Sequence, residues 1–251
     1  MTLSEFSLEF DILYDNIASK GAPGIDEYEK SVYLTKAQLE LVKEYNNILN
    51  KYGKAFDQSE KRRIDLKELL RDSKSELRFT NTDNIDSDAQ FFRIPNDVFL
   101  IKFERGFVKK TGCDDIRIDI VPVTLDEYNE KIDNPFRKPY DEEAWRIDYY
   151  EVLDAEVISP IVNTVEIISN LDIYKYQIRY VKYPQPIILQ SLLDFYGDSV
   201  DLTIDGISTL SNCELNQEIH REILDRAVEL ATLDYKEPSL ESKIQLNQRN
   251  N

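Results

Sequence analysis

The feature that most constrains the fold is a change in the spacing of apolar residues near residue 91, with a change back near residue 213. Before residue 80, apolar side chains recur every three or four residues, as they do along one face of a helix. From residue 91 they alternate with polar ones, as at Phe99, Ile101 and Phe103, which is typical of half-buried strands. Helices followed by strands and then one final helix predict an α+β fold.

Four helices are predicted within the first eighty residues. The first begins at the capping box Thr2–Glu5 and ends at the turn Gly21–Gly24. Asp26 caps a short second helix, a further capping box at Thr35 opens a third, and residues 59–78 form a fourth. Later in the chain, strands are predicted at 99–103, 116–120, 145–153, 161–168, 174–180 and 202–207, and short helices at 125–131 and 189–196.

This order of segments predicts an N-terminal helical bundle that is completed by a C-terminal helix and carries an inserted antiparallel β-sandwich or small barrel. The predicted domains are a helical module at 1–80, a hinge at 81–90, an antiparallel β module at 91–210, a C-terminal helix at 211–235 that packs on the helical module, and a flexible tail at 236–251.

The composition narrows the possible partners and compartments. A net charge of −17 disfavours stable binding to DNA or anionic lipid, because those partners need clustered Lys and Arg. No apolar run reaches the roughly 18 to 20 residues that cross a bilayer, and the N-terminus lacks the basic leader of a signal peptide. Two cysteines, Cys113 and Cys213, indicate reduced thiols in a cytosolic compartment.

Few residues are candidates for catalysis. A Ser-His-Asp or Cys-His arrangement would need the single histidine, His220, which is interpreted instead as a polar residue at the end of the amphipathic face of the C-terminal helix, beside its apolar stripe. The seven glycines form neither GxGxxG nor GxxxxGK[ST], so no phosphate cradle and no cofactor are predicted. A hydrolase with paired carboxylates stays open as an alternative, because 48 acidic residues make chance pairs easy.

A metal site is not predicted either. One histidine and two cysteines about a hundred residues apart give no zinc spacing. Asp83, Asp86 and Asp88 resemble the start of a calcium loop, but Ile94 stands where such a loop needs a bidentate Glu. A solvated acidic loop is the favoured interpretation.

The most distinctive segment is DNPFRKPYDEEAWRIDYY, residues 133–150, in which aromatic and basic residues are crowded. Tyr, Trp and Arg are enriched in protein–protein contacts, so one interpretation is a subunit interface. The other is a proline-bounded loop leading into a strand whose aromatic residues belong to the core. The candidate interface residues are Phe136, Arg137, Tyr140, Trp145, Arg146 and Tyr149.

Four pieces of the sequence, in order, resemble structural proteins of tailed bacteriophages, above all the ring proteins of crAss-like phages. They are residues 6–45, NPFRKPYDEEAWRI, YQIRYVKYPQPIIL and IDGISTLSNCELNQEIHREILDRAVELA. The last two look like the signature of neck proteins, in which a strand ends in Tyr-x-x-x-Pro and a later polar CEL stretch leads into a final helix. The similarity covers most of residues 1–235.

The resemblance implies a virion structural protein of the head–tail connector that acts by assembly and not by catalysis. Copies would form a homo-oligomeric ring, usually twelvefold, beneath the portal protein and beside other neck or tail proteins, and genomic DNA would pass through it. The protein would be made in the bacterial host cytoplasm and reside in the virion, without membrane contact. A tail-tube or tail-hub protein is the nearest alternative, and the acidic hydrolase is the more distant one.

Overall fold

A computed structural model describes residues 1–17, 24–46, 60–75, 78–79, 85–109, 115–134, 139, 142–148, 164–193 and 202–235. The chain divides into two compact units. The helical unit comprises Met1–Leu69 and Pro184–Asn251, and the sheet unit comprises Leu70–Tyr183. The sheet unit is therefore inserted, in sequence, between the two segments of the helical unit.

Five α-helices are present in the described residues: α1 Leu3–Ile17, α2 Glu27–Asn46, α3 Glu60–Asp65, α4 Leu125–Lys131 and α5 His220–Tyr235. Helix α4 belongs to the sheet unit, and the other four belong to the helical unit. Short 3-10 turns at Lys67–Leu69 and Gln217–Ile219 follow α3 and precede α5.

Capping boxes begin the first two helices; the box at Thr2 and a cap at Asp26 were predicted. The Thr2 nitrogen donates to the Glu5 carboxylate at 2.7 Å, and the Glu5 nitrogen donates back to the Thr2 hydroxyl at 3.3 Å. Asp26 and Glu29 make the same reciprocal pair at the start of α2, at 3.2 and 2.8 Å. Each box satisfies backbone donors that the first helical turn leaves without partners.

Helix α5 packs against α1 and α2 within the helical unit. Its stripe of Ile219, Ile223 and Ala227 is buried, and polar contacts to α2 flank it. The Tyr45 hydroxyl donates to Glu222 at 3.0 Å, and the Arg226 Nε donates to Glu40 at 2.8 Å. Burial of the stripe supplies the packing energy, and these contacts fix the pairing with α2.

The single histidine is a packing residue of this unit. His220 is buried, its Nε2 lies 3.0 Å from the Leu215 carbonyl oxygen, and its Nδ1 lies 2.8 Å from the Met1 nitrogen. The Phe6 ring centroid lies 5.3 Å from the imidazole centroid. Burial lowers the pKa of this imidazole, so the neutral form is favoured in the folded chain.

Two of the predicted helices are one helix. The prediction broke the segment at Thr35, but α2 is continuous from Glu27 to Asn46. The Thr35 hydroxyl does not cap a helix; it accepts a hydrogen bond from the Ile187 nitrogen at 3.1 Å. A hydroxyl with a tertiary partner of this kind can sit inside a helix, so the capping-box pattern at this position was misleading.

The predicted fourth helix, at 59–78, is helical only over Glu60–Asp65. The chain then forms strand β1, Leu70–Ser75, which pairs with a later strand of the sheet unit, and β2, Arg78–Phe79. Asp72, Ser73 and Ser75 are weak helix formers, and tertiary pairing decides the outcome. The described part of the predicted helix at 189–196 is not helical.

The predicted strand at 202–207 is a tight turn. Ile204 and Ile207 exchange backbone hydrogen bonds of 2.9 and 3.0 Å around Asp205 and Gly206. Both central residues have positive φ, 50° and 78°, which Gly and Asp tolerate best. The Asp-Gly pair is a turn signal, and the alternation around it was too short to make a strand.

The remaining strands are β3 Ala89–Arg93, β4 Val98–Val108, β5 Ile116–Pro122, β6 Glu143–Asp148, β7 Thr164–Ile168 and β8 Ile173–Lys182. The eight strands form one sheet in the order β1-β8-β4-β5-β6-β7-β3-β2. All neighbours are antiparallel except β5 and β6, which are parallel. The predicted fully antiparallel sheet is therefore corrected at this pair, where the crossover through α4 returns the chain in the same direction.

The sheet curls on itself. Its two edge strands, β1 and β2, are separated in the chain by only residues 76–77. The distance between the Cα atoms of Ser75 and Arg78 is therefore at most about 11 Å. Eight flat strands about 4.8 Å apart would place the edges roughly 34 Å from each other. The α+β class is confirmed. The strands form a single curled sheet whose order ends at two edges, β1 and β2. Neither the predicted two-sheet sandwich nor a closed barrel is shown.

The concave inner face of the sheet holds the core of the unit. It draws apolar side chains from β3 to β8, namely Phe92, Val108, Ile118, Ile120, Ala144, Val165, Ile167, Ile173, Tyr176, Ile178 and Tyr180. Gly106 lies against this core, where an added Cβ would come within 3.2 Å of Ile173 Cδ1.

The boundaries of the two units differ from those of the predicted modules, which divide at residues 80 and 210. Strand β1 joins the sheet, so the division falls at Leu69. The segment after Pro184 contacts α2, where the Ser31 hydroxyl accepts from the Leu189 nitrogen at 3.0 Å and Gln38 donates to the Gln185 carbonyl at 2.8 Å. The predicted tail, 236–251, and part of the predicted hinge lie outside the described residues.

Candidate assembly surface

The outer face of the curled sheet has a covered half over β6 and β7. Helix α4 packs there through Tyr128, whose ring meets Trp145 edge-on with centroids 6.4 Å apart. Val123, Ile147 and Ile168 complete this apolar cluster. The Thr124 hydroxyl accepts from the Glu127 nitrogen at 3.2 Å and caps α4, which was predicted with these bounds. The chain therefore covers this half of its own sheet.

The turn at residues 85–88 extends the cover over β7. Glu166 is fully buried beneath it and accepts from the Ile85 nitrogen at 2.8 Å and the Asp86 nitrogen at 3.3 Å. Burial raises the pKa of the Glu166 carboxyl, against the opposing effect of these two hydrogen bonds. Asp86 also accepts from the Tyr128 hydroxyl at 2.9 Å, so it anchors the turn to α4.

The other half of the outer face, over β1, β8, β4 and β5, is partly exposed among the described residues, although Val181 at one end of β8 is buried. The register identifies its members, because residues directly opposite each other point to the same side of a sheet. Phe103 faces Arg179, Arg105 faces Gln177 and Asp119, and Phe107 faces Lys175. We call this surface the open face; it consists of Asp72, Lys74, Phe103, Arg105, Phe107, Arg117, Asp119, Lys175, Gln177 and Arg179.

Aromatic rings and cations alternate across the open face. The Arg105 guanidinium lies 4.7 Å from the Phe103 ring centroid, and the Lys175 ammonium lies 5.6 Å from that of Phe107. Phe103 is nevertheless 39% exposed. Arg105 and Arg179 pair with Asp119 and Asp72 only at 3.8 and 3.9 Å, contacts that stabilise a fold little at an exposed site.

The open face is basic on an acidic protein. Its cations, Lys74, Arg105, Arg117, Lys175 and Arg179, outnumber its two carboxylates, whereas the whole chain carries −17. Exposed aromatic rings beside arginine are enriched in protein–protein contacts. The open face is therefore the strongest candidate for an assembly surface among the described residues.

Two of the six predicted interface residues are described, and both are buried inside the sheet unit. Trp145 is 3% exposed beneath α4. Arg146 is 8% exposed and points to the inner face. Its Nε lies 3.3 Å from Glu104 Oε2, and the same oxygen accepts a hydrogen bond from the Tyr176 hydroxyl at 2.8 Å. Phe136, Arg137, Tyr140 and Tyr149 lie outside the described residues, so the predicted interface through this segment stays a prediction.

Sequence reasoning missed the open face for an identifiable reason. The alternation in β4 and β8 was predicted, but alternation alone does not say which strands are neighbours. Phe103 and Arg179 come together only through the β4–β8 pairing, between segments more than seventy residues apart in the chain. The signal that was present is the polar and basic series Lys175, Gln177 and Arg179 at every second position of the predicted strand 174–180.

Other site chemistries find no support in the described part of the chain. It contains no group of three or more His, Cys, Asp or Glu side chains placed to hold a metal ion. Its helices include none that is long and apolar enough to span a bilayer. The suspected calcium loop is explained in part by Asp86, whose oxygens accept from Tyr128 and from the Asp88 nitrogen.

Comparison with known proteins gives consistent matches over nearly the whole chain. The family described as phage tail ring protein 3/4 matches residues 1–243. The protein named ring protein 4/5 of Bacteroides phage crAss001 is 42% identical over 251 residues, 99% of each chain. Ring protein 3 of the same phage is 37% identical over 239 residues, 93% of this chain and 96% of the relative. The predicted resemblance to ring proteins of crAss-like phages is thus confirmed, and the chain belongs to the phage tail ring protein family.

Proposed function

We propose that this chain assembles into a homo-oligomeric ring in the neck of the virion, between the portal and the tail, and that genomic DNA passes through the ring. The observation that carries the proposal is the full-length match to proteins named for rings. One of these relatives is 42% identical over 99% of each chain, a similarity at which a shared fold is expected. Twelvefold symmetry, as is usual for such necks, belongs to the proposal.

The surface chemistry supports assembly as the mode of action. A closed ring needs two different patches on each copy, so that one copy binds the next head to tail. The open face supplies one patch that the chain leaves exposed. No residue group in the described part of the chain is arranged for metal catalysis, and the lone histidine is used in packing. Assembly without turnover is therefore the proposed activity.

The charge supports the proposed passage of DNA. A net charge of −17 repels phosphates, so DNA that moves through the ring would not be retained by it. The same charge would keep copies soluble before they assemble in the host cytoplasm. The partners under this proposal are further copies of the chain, the portal protein and other neck or tail proteins.

The proposal is tested by mixing the purified chain with purified portal particles and imaging the mixture by electron microscopy. The expected result is a ring of fixed copy number that is stacked on the portal and also present on virions. Free chains that stay monomeric and never associate with portal or tail particles would contradict the proposal. Rings found only inside or at the distal end of the tail would favour a tail-tube or tail-hub role instead.

A further inference from the structure

The sheet unit carries a second exposed surface, which is opposite in charge to the open face. The outward side of α4 presents three carboxylates, of which that of Glu127 lies 3.9 Å from the Lys131 ammonium. Two apolar side chains, Leu125 on this helix and Val121 on β5, are also exposed. Leu125 is 49% exposed and Val121 is 40% exposed. We call this surface the α4 patch; it consists of Val121, Leu125, Asp126, Glu127 and Glu130.

We propose that the open face of one copy binds the α4 patch of a neighbouring copy, a contact that rests on the proposed ring function. The two surfaces match in layout as well as in charge. Phe103 and Phe107 lie between cations on the open face, and Val121 and Leu125 lie beside carboxylates on the α4 patch. An apolar centre with charges of opposite sign around it is the arrangement that protein interfaces use.

The two surfaces are different parts of one sheet unit, so a contact between them can be heterologous. The open face is centred on β8 and β4, and the α4 patch is centred on α4; they meet at β5, which contributes Asp119 to the first and Val121 to the second. Because the sheet curls, the two surfaces point in different directions from the same unit. Each copy can therefore receive one neighbour and offer itself to another, and such contacts form a ring when the rotation between copies closes.

Contacts between two like surfaces are disfavoured by the same charges. Two open faces brought together would place Arg105, Lys175 and Arg179 against their own kind, and two α4 patches would oppose carboxylates. Like charges placed opposite each other weaken association. An open face paired with an α4 patch joins opposite charges. In a ring each copy makes this contact with two neighbours and in a reciprocal dimer with one, so the copy number measured by mass photometry separates the two.

Duplex DNA would also complement cations, but the open face fits a protein partner better. Asp72 and Asp119 lie among its cations and would repel phosphates. Its exposed Phe103 ring would gain nothing from a phosphate backbone, whereas an apolar side chain of a neighbouring copy would bury it. Binding of DNA by this face is accordingly an outcome that the test must detect.

The test is a charge-reversal complementation with two variants of the full chain. The face variant carries Lys175→Glu and Arg179→Glu, and the helix variant carries Asp126→Lys and Glu130→Lys. Each alone opposes like charges, so each should raise the concentration for half-maximal ring assembly at least about tenfold. An equimolar mixture should restore assembly to within about threefold of wild type. In a ring of alternating variants, each reversed open face meets a reversed α4 patch and each native open face meets a native one, so every contact joins opposite charges.

Controls keep the result specific. The variant with Lys36→Glu and Lys43→Glu makes the same charge change on exposed positions of α2 and should assemble like wild type. Circular dichroism and thermal melting check that each variant folds, and a chain with all four substitutions of the face and helix variants should assemble alone. Mass photometry and native mass spectrometry measure assembly and the alternation of the two variants in mixed rings.

Three results would overturn the contact. A face variant that assembles like wild type, or two folded variants that fail to complement each other, would place the contact elsewhere and leave the ring function standing. Loss of duplex DNA binding in the face variant, with ring assembly unchanged, would assign the open face to DNA. If the wild-type chain itself forms no ring with or without portal particles, the proposed function fails and not merely this contact.

Discussion

The covered and open halves of the sheet's outer face differ in whether other parts of the described chain pack over them. Over β6 and β7, the chain supplies its own cover through α4 and the turn at residues 85–88, and Trp145 and Glu166 are buried there. Over β8 and β4, Phe103 stays exposed between Arg105 and Arg179. Among the described residues, one sheet thus has both a surface that folding covers and a surface that carries an exposed aromatic ring between cations; we propose that a partner covers the second.

The ion pairs of neighbouring residues in β4 show the same difference at short range. Glu104 points inward and meets Arg146 and the Tyr176 hydroxyl, all three being shielded from water. Arg105, the next residue, points outward, and its Nε lies 3.8 Å from the carboxylate of Asp119, whose side chain is largely exposed. A buried pair costs much to break, while an exposed pair contributes little to the fold and can exchange partners. The following substitutions separate these two roles.

The largest expected loss of stability is in the covered half. Trp145→Ala removes the ring beneath α4 and should lower the free energy of unfolding by about 3–5 kcal/mol. Phe103→Ala is the matched aromatic truncation in the open half and should cost less than about 1 kcal/mol, since Phe103 is already exposed. Urea denaturation followed by circular dichroism measures both. Equal losses would mean that the open half is part of the fold's own core.

Breaking the inward ion pair should be nearly as damaging. Arg146→Ala leaves the Glu104 carboxylate buried without its cation, which should cost about 3–5 kcal/mol. Arg179→Ala, the exposed counterpart, should change stability by no more than about 1 kcal/mol. The comparison fails if the two variants unfold at the same urea concentration.

The hydroxyl of Tyr128 should contribute a smaller amount. Tyr128→Phe keeps the ring on Trp145 but removes the hydrogen bond to Asp86, and should cost about 0.5–1.5 kcal/mol. Thermal melting of the variant against wild type measures this loss. A loss as large as that of Trp145→Ala would show that the turn, and not the apolar cluster, holds α4 in place.

The buried carboxyl of Glu166 predicts a pH effect of known sign. Its pKa in the folded chain is raised above the ordinary 4.5, so the folded state binds its proton at higher pH than the unfolded state does. This group's contribution to stability therefore improves as pH falls through the raised pKa towards 4.5, and worsens as pH rises. Glu166→Gln should gain stability relative to wild type between pH 5 and pH 7.5, as measured by urea denaturation; a relative loss over that interval would contradict the assignment.

Local sequence signals predicted the elements whose formation depends on local chemistry. The capping pairs at Thr2 and Asp26, helix α4 and the alternation in β4, β5 and β8 were all readable, because the residues that make these elements are close in the chain. The stripe of α5 was readable for the same reason. These successes include the α+β class.

The elements that failed depend on distant partners. Strand β1 is polar and was predicted as helix, yet pairing with β8 makes it a strand. The predicted helix break at Thr35 failed likewise, because the partner of its hydroxyl, Ile187, lies far away in sequence. The antiparallel assumption for β6 failed because the crossover through α4 makes β6 run parallel to β5. The open face is of this type, since no single strand contains it. Trp145 shows the converse, as its crowded sequence context suggested an interface while α4 buries it.

The most direct measurement is a cryo-electron microscopy reconstruction of the assembled particle that resolves side chains of the sheet unit. We expect a ring in which Phe103 and Arg179 of each copy lie against Leu125 and Asp126 of the next, with the open face buried. A ring in which the open face remains in solvent on every copy would contradict the proposed contact, even if the chain were found in the neck.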